Sequence, residues 1–101
     1  MKKYLFVVYG PHADSADEMS AGMAAMAAWY GSLGSALIDP GAPFTAARTV
    51  SAQGTGDAIG PNATGYNLVQ AESLEAAAEL AAGCPLVAHR RQITVFETLA
   101  M

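Results

Sequence analysis

The chain has 101 residues, 52% of them hydrophobic and 14% charged, and a formal net charge of −4. These figures fit one globular domain, residues 1–101, with apolar material for a core that needs no disulfide staples. Its five cations, Lys2, Lys3, Arg48, Arg90 and Arg91, are too few and too scattered to track a phosphate backbone, which disfavours nucleic-acid binding. The single cysteine, Cys84, excludes an internal disulfide and fits a reducing compartment, so the expected location is cytoplasmic.

Tyr4-Leu5-Phe6-Val7-Val8-Tyr9 opens the chain as a strand that is apolar at every position, so both of its faces need cover. Helices can cover one face. In a chain of this size a second copy is the simplest cover for the other, which makes a homodimer the expected assembly. Met1-Lys2-Lys3 before this run imitates a signal peptide, but the run stops at Gly10-Pro11, short of an h-region. No stretch approaches the roughly 20 consecutive apolar residues of a membrane span, so no membrane association is expected.

Ser15-Ala16-Asp17-Glu18 has capping-box spacing and predicts a helix from Ala16, with two acids in the first turn where the dipole favours them. Met19, Met23, Met26, Tyr30 and Leu33 recur at three- and four-residue intervals, a stripe expected to face the sheet. Gly34 should end this helix. Ala36-Leu37-Ile38 reads as a short second strand stopped by Asp39-Pro40-Gly41.

From Pro40 to Gly65 the chain is rich in proline and glycine and is expected to be mostly loop. Arg48-Thr49-Val50-Ser51 carries enough β-branching for one short strand, and 53–62 reads as a surface excursion long enough to form a lid. Tyr66-Asn67-Leu68-Val69-Gln70 resumes strand character. Ser73 then caps a second helix whose buried side is Leu74, Ala77, Leu80, Ala81 and Cys84, and Gly83 with Pro85 stops it. The final strand, Gln92-Ile93-Thr94-Val95-Phe96-Glu97-Thr98, alternates, with Ile93 and Val95 on one face, and should be less buried than the first. The order is strand-helix-strand-strand-helix-strand, an α+β arrangement.

The opening Tyr4 to Gly10, Trp29 with Leu33-Gly34-Ser35-Ala36-Leu37, Gly65-Tyr66, Gly83-Cys84-Pro85 and the closing Ile93-Thr94-Val95-Phe96-Glu97 together resemble the YCII-related family in its DGPF-type branch. The resemblance covers nearly the whole chain and rests on the order and spacing of these five short motifs. It implies a ferredoxin-like βαββαβ half-barrel that pairs through its sheet into a dimeric α+β barrel. It also implies an association with sigma-factor-like regulators. The branch of this family with a proposed acid–base pair carries a histidine on the first helix and an aspartate after the second. Here neither stands in place, and the signature loop reads Gln53-Gly54-Thr55-Gly56-Asp57.

His12, at the glycine-proline turn after the first strand, and His89, before Arg90-Arg91, are the candidate catalytic residues, since histidine titrates near neutral pH. The alternative for each is an exposed turn residue. Trp29 and Tyr30 lie on adjacent sides of the first helix; an aromatic wall suits an apolar pocket, and core packing is the alternative. Arg48 could hold a carboxylate through its forked donors, or pair with Asp39 or Glu97. With Trp29 and Arg48, Tyr66 completes the candidate ligand-binding set. No metal-ligand spacing preorganises Cys84, His89, His12 and Asp39, and Pro61 after Gly54-Thr55-Gly56 and Gly60 rules out a dinucleotide loop, so no metal or cofactor is expected. The leading expectation is a homodimer that binds a small organic molecule between sheet and helices. The alternatives are a cofactor-independent lyase or isomerase with a histidine base, and a regulatory module for sigma-like partners.

Overall fold

In the computed structural model, residues 1–11, 15–58, 60 and 62–100 are described, the side chain of residue 89 excepted. Strand β1 (Lys2–Tyr9) is followed by helix α1 (Ala16–Leu33) and a short strand β2 (Leu37–Asp39). Strands β3 (Arg48–Ser51) and β4 (Gly54–Asp57), the long strand β5 (Ala63–Ala71), helix α2 (Leu74–Ala82) and strand β6 (Gln92–Glu97) complete the order. One antiparallel sheet has the order β2-β5-β1-β6, and β3 and β4 pair with each other in a second, two-stranded sheet. With the β3-β4 hairpin set aside, this is the strand order of a ferredoxin-like α+β fold.

The helix boundaries follow from local chemistry. Ser15 is extended, and its hydroxyl accepts from the Glu18 backbone N–H at 3.0 Å; Ser73 does the same for Ala76 at 3.1 Å. Each bond satisfies an N–H that the helix itself leaves open. Gly34 takes over at the end of α1 with φ of 55°, a conformation that costs glycine little.

Alternation on β1 separates two faces. Tyr4, Phe6 and Val8 are buried toward the helices, while Leu5, Val7 and Tyr9 lie half-buried on the outer face. Register places Leu68 and Phe96 across from Leu5, and Tyr66 and Thr94 across from Val7, so the outer face is a continuous, largely apolar surface. On the inner face Tyr4, Phe6, Val69 and Ala71 meet Trp29, Leu33, Ala77, Ala81 and Cys84 in one core. Trp29 stacks on Phe6 with ring centroids 6.4 Å apart. β6 lies at the edge of the sheet, where only Ile93 and Val95 are half-buried.

Two expectations are corrected. The methionine stripe does not lie on the sheet along its length: in α1 only Trp29 and Leu33 are buried, while Met19 and Met23 remain 55% and 67% exposed. The bulky C-terminal residues dock the last turns. The alanine-, glycine- and methionine-rich N-terminal half has no comparable anchor and stands away from the strands. The 53–62 segment, read as a loop, contributes β4, which completes a hairpin with β3 through Ser51-Ala52-Gln53-Gly54. The Ser51 hydroxyl accepts from the Gln53 N–H at 3.2 Å, and Gly54 supplies φ of 121°, so turn chemistry makes a strand of residues whose own propensity is low. This hairpin projects from the sheet, with Val50 74% exposed.

Candidate functional site

The gap beneath the N-terminal half of α1 is a cavity of about 510 Å³, within the range of small-molecule sites. Met19, Met23, Met26 and Tyr30 of α1 form one wall, and Thr64 to Asn67 of β5 another. The segment after β2 closes a side, and Leu86 and Arg91 approach from the far end. The walls are mainly aliphatic and thioether, which suits an apolar occupant, and methionine repacks around irregular shapes at low cost.

The segment after β2 is fastened closely to β5. The Gly41 N–H donates to Asp39 Oδ1 at 2.8 Å, forming a turn in which Gly41 has φ of 70°. A Cβ on Gly41 would overlap the Tyr66 carbonyl oxygen, so no larger residue fits there without moving the backbone. Further along, the Phe44 N–H donates to the Thr64 carbonyl at 2.8 Å, and the Phe44 ring stacks on Tyr66.

A small polar group is set into this apolar surface. Asn67, 3% exposed, donates through Nδ2 to the Pro40 carbonyl oxygen at 2.8 Å and more weakly to the Tyr30 hydroxyl at 3.4 Å. A carbonyl oxygen can only accept, so this bond fixes which way the amide points. Asn67 Oδ1 is then left buried and without a hydrogen-bond partner among the described residues. Burial pushes the Tyr30 phenol above its ordinary value, with the Asn67 bond opposing, so the hydroxyl stays neutral at physiological pH. The Thr64 hydroxyl is satisfied by the Val8 carbonyl at 3.3 Å. Among the described residues, charge enters the lining with Glu18 and Arg91, and the Arg91 Nε–H is engaged by the Pro11 carbonyl at 2.6 Å.

Of the residues singled out from sequence, those described do not converge. Tyr66 borders the cavity. Trp29 is 6% exposed in the core, with its ring 5.6 Å from that of Tyr30, one residue removed from the cavity wall. Arg48 sits on the exposed β3-β4 hairpin. His12 and the side chain of His89 lie outside the described residues. Among the described residues no group of three His, Cys, Asp or Glu side chains gathers as a metal site would require. None of the helices described is long and apolar enough to cross a membrane.

Sequence reading does not single out Asn67, Thr64 or the Pro40 carbonyl. A signal for Asn67 is nonetheless present: it shares the inward face of β5 with Val69 and Ala71, a position where asparagine is buried at a cost unless it has a task. The Pro40 carbonyl carries no side-chain signal at all. Compared with protein-family models, with curated proteins and with solved structures, the chain gives no match.

Proposed function

We propose that the protein is a homodimer of the YCII-related, DGPF-type kind that takes a small organic molecule into the cavity between α1 and β5. The observation that carries this reading is the cavity itself: about 510 Å³ of mainly apolar space with a few inward polar groups. Met19 and Met23 remain exposed along its wall. A helix that leaves half of its apolar stripe unpacked forgoes burial worth about 25 cal/mol per Å², and a bound molecule would recover it. No reaction is assigned, because the described residues present no nucleophile paired with a base.

Three observations support the dimer. The outer face of the sheet presents Leu5, Val7, Leu68, Tyr66 and Phe96 together, with Phe96 45% exposed. The chain exposes 6761 Å², against roughly 5,400 Å² for a monomer of its mass. Its extents are 42 × 41 × 18 Å, a slab one sheet and one helix layer thick. Two sheets packed through their outer faces would cover the apolar surface and complete the α+β barrel, while the projecting hairpin accounts for part of the excess area.

Multi-angle light scattering at micromolar concentration tests the assembly, and methyl NMR of Met19, Met23 and Met26 during a small-molecule screen tests the cavity. A particle of twice the chain mass and compounds that shift those methyl signals together are the expected results. A monomer would remove the dimer and leave the outer sheet face open for a protein partner. Compounds that bind without moving the methionine methyls would remove the cavity as the site.

A further inference from the structure

Resting on that reading of the cavity, we infer that its ligand is a largely apolar molecule that presents one uncharged N–H or O–H donor to Asn67 Oδ1. The geometry at the polar end of the cavity selects the donor. Pro40 O already accepts from Asn67 Nδ2 at 2.8 Å, and the same bond holds the Asn67 oxygen in place with no partner among the described residues. Among the described residues the site therefore holds one buried acceptor left unsatisfied, and such a carbonyl oxygen carries a desolvation penalty that an incoming donor removes. Thr64 does not compete as a donor to Asn67 Oδ1, because its hydroxyl proton is committed to the Val8 carbonyl.

The same surroundings exclude a charged head group at this end. Asn67, Tyr30, Thr64 and the Pro40 carbonyl are all neutral, and Tyr30 is kept so by its burial. A carboxylate placed here would meet the Asn67 and Pro40 oxygens, and an ammonium would lack a counter-charge, so either is held back by its desolvation. Asn67 Oδ1 is also closed off from bulk water. A donor reaches it where the surrounding side chains give way, and the adaptable methionines on the cavity wall favour such repacking. Glycine and alanine on the facing surface of α1, Ala21, Gly22 and Ala25, leave room for the apolar body of the molecule.

4-Propylphenol, 4-propylanisole and 4-propylbenzoate test this with one apolar body and three heads. Affinities are read from the Met19, Met23 and Met26 methyl signals, and the contact from the Asn67 side-chain amide signals. The anisole is the more apolar compound, so burial alone ranks it first. A donor contact reverses the order: the phenol should bind at least about ten-fold tighter than the anisole, and the benzoate should bind most weakly. Only the phenol should shift the Asn67 amide signals, a readout that needs no variant, and Asn67→Leu should erase the phenol's advantage. Anisole binding as tightly as phenol with the methyl signals moving would overturn the donor and leave the cavity as a ligand site. Preferred binding of the benzoate would overturn the neutral head group. If none of the three moves the methyl signals up to its solubility limit, this inference and the cavity reading both fall.

Discussion

The side-chain amide of Asn67 donates to the main-chain oxygen of Pro40 at 2.8 Å, which ties the middle of β5 to the segment leaving β2. A side chain on one strand thereby sets the position of a loop that has few apolar anchors of its own. The bond also orients a buried amide whose oxygen has no partner among the described residues, so structure and proposed recognition meet in one residue.

Asn67→Asp should test how neutral this position is. A carboxylate there would face the Pro40 oxygen without a compensating cation, costing on the order of 3 kcal/mol at pH 7. Burial raises the folded-state pKa of such an acid, so its proton is held longer in the folded than in the unfolded chain. The deficit relative to the parent should be small near pH 4, the range of an unfolded carboxyl at about 3.9, and grow as pH rises through the folded value. Urea denaturation of both proteins at pH 4 and pH 7 measures it.

Gly41 and Gly31 should respond to alanine in opposite directions. At Gly41 the positive φ and the Tyr66 carbonyl leave no place for a methyl group, and Gly41→Ala should cost at least about 2 kcal/mol. Gly31 lies in α1, where an added methyl carbon would meet nothing within 4 Å, and Gly31→Ala should stabilise by about 0.5–1 kcal/mol. Thermal unfolding of the two variants beside the parent checks both signs.

Alkaline stability should reflect three acids whose titration burial raises. Burial pushes the Cys84 thiol up. Burial first, and then the Glu97 carboxylate that accepts from the Tyr4 hydroxyl at 3.0 Å, push the Tyr4 phenol up, and burial does the same to Tyr30. Each raised group adds stability that is whole below its unfolded pKa and is lost as pH rises through its folded value. Decline should therefore begin near pH ~8.5 through Cys84 and steepen above pH ~10 through the tyrosines. Cys84→Ala should remove the first part and Tyr4→Phe should flatten the second, as seen in melting temperatures from pH 7 to 11.

Charge on the outer sheet face should dissociate the proposed dimer. Val7→Glu with Phe96→Glu would set like charges against each other across a two-fold interface, raising the dissociation constant at least about 100-fold. Both positions point away from the core, so circular dichroism should match the parent. A dimer unchanged by the double substitution would locate the interface elsewhere.

Chain order and local chemistry are readable directly. The bounds of α1 follow from the Ser15 cap and Gly34, those of α2 from Ser73 and Gly83, and the alternation of β6 reveals both the strand and its partly exposed setting. Each of these signals acts within a few residues along the chain, and backbone hydrogen bonding answers to it wherever the element packs. β4 escapes such a reading because glycine and threonine pair there through a turn and a neighbouring strand, neither of which is a property of those residues alone.

The candidate site depends on tertiary contacts that no residue announces. Which part of α1 touches the sheet is decided by Trp29 stacking on Phe6, residues far apart in the chain, and the remainder of the methionine stripe is left beside a cavity as a result. Trp29 resembles a ligand wall because aromatic character is visible in sequence, whereas its depth in the core is not. Apart from β4, the elements, their order and the doubly apolar first strand were already written in the residues, since these rest on propensity, capping and alternation. That Asn67 meets the Pro40 carbonyl and keeps one oxygen unpaired came from folding alone, because a main-chain acceptor gains its identity from where the fold brings it.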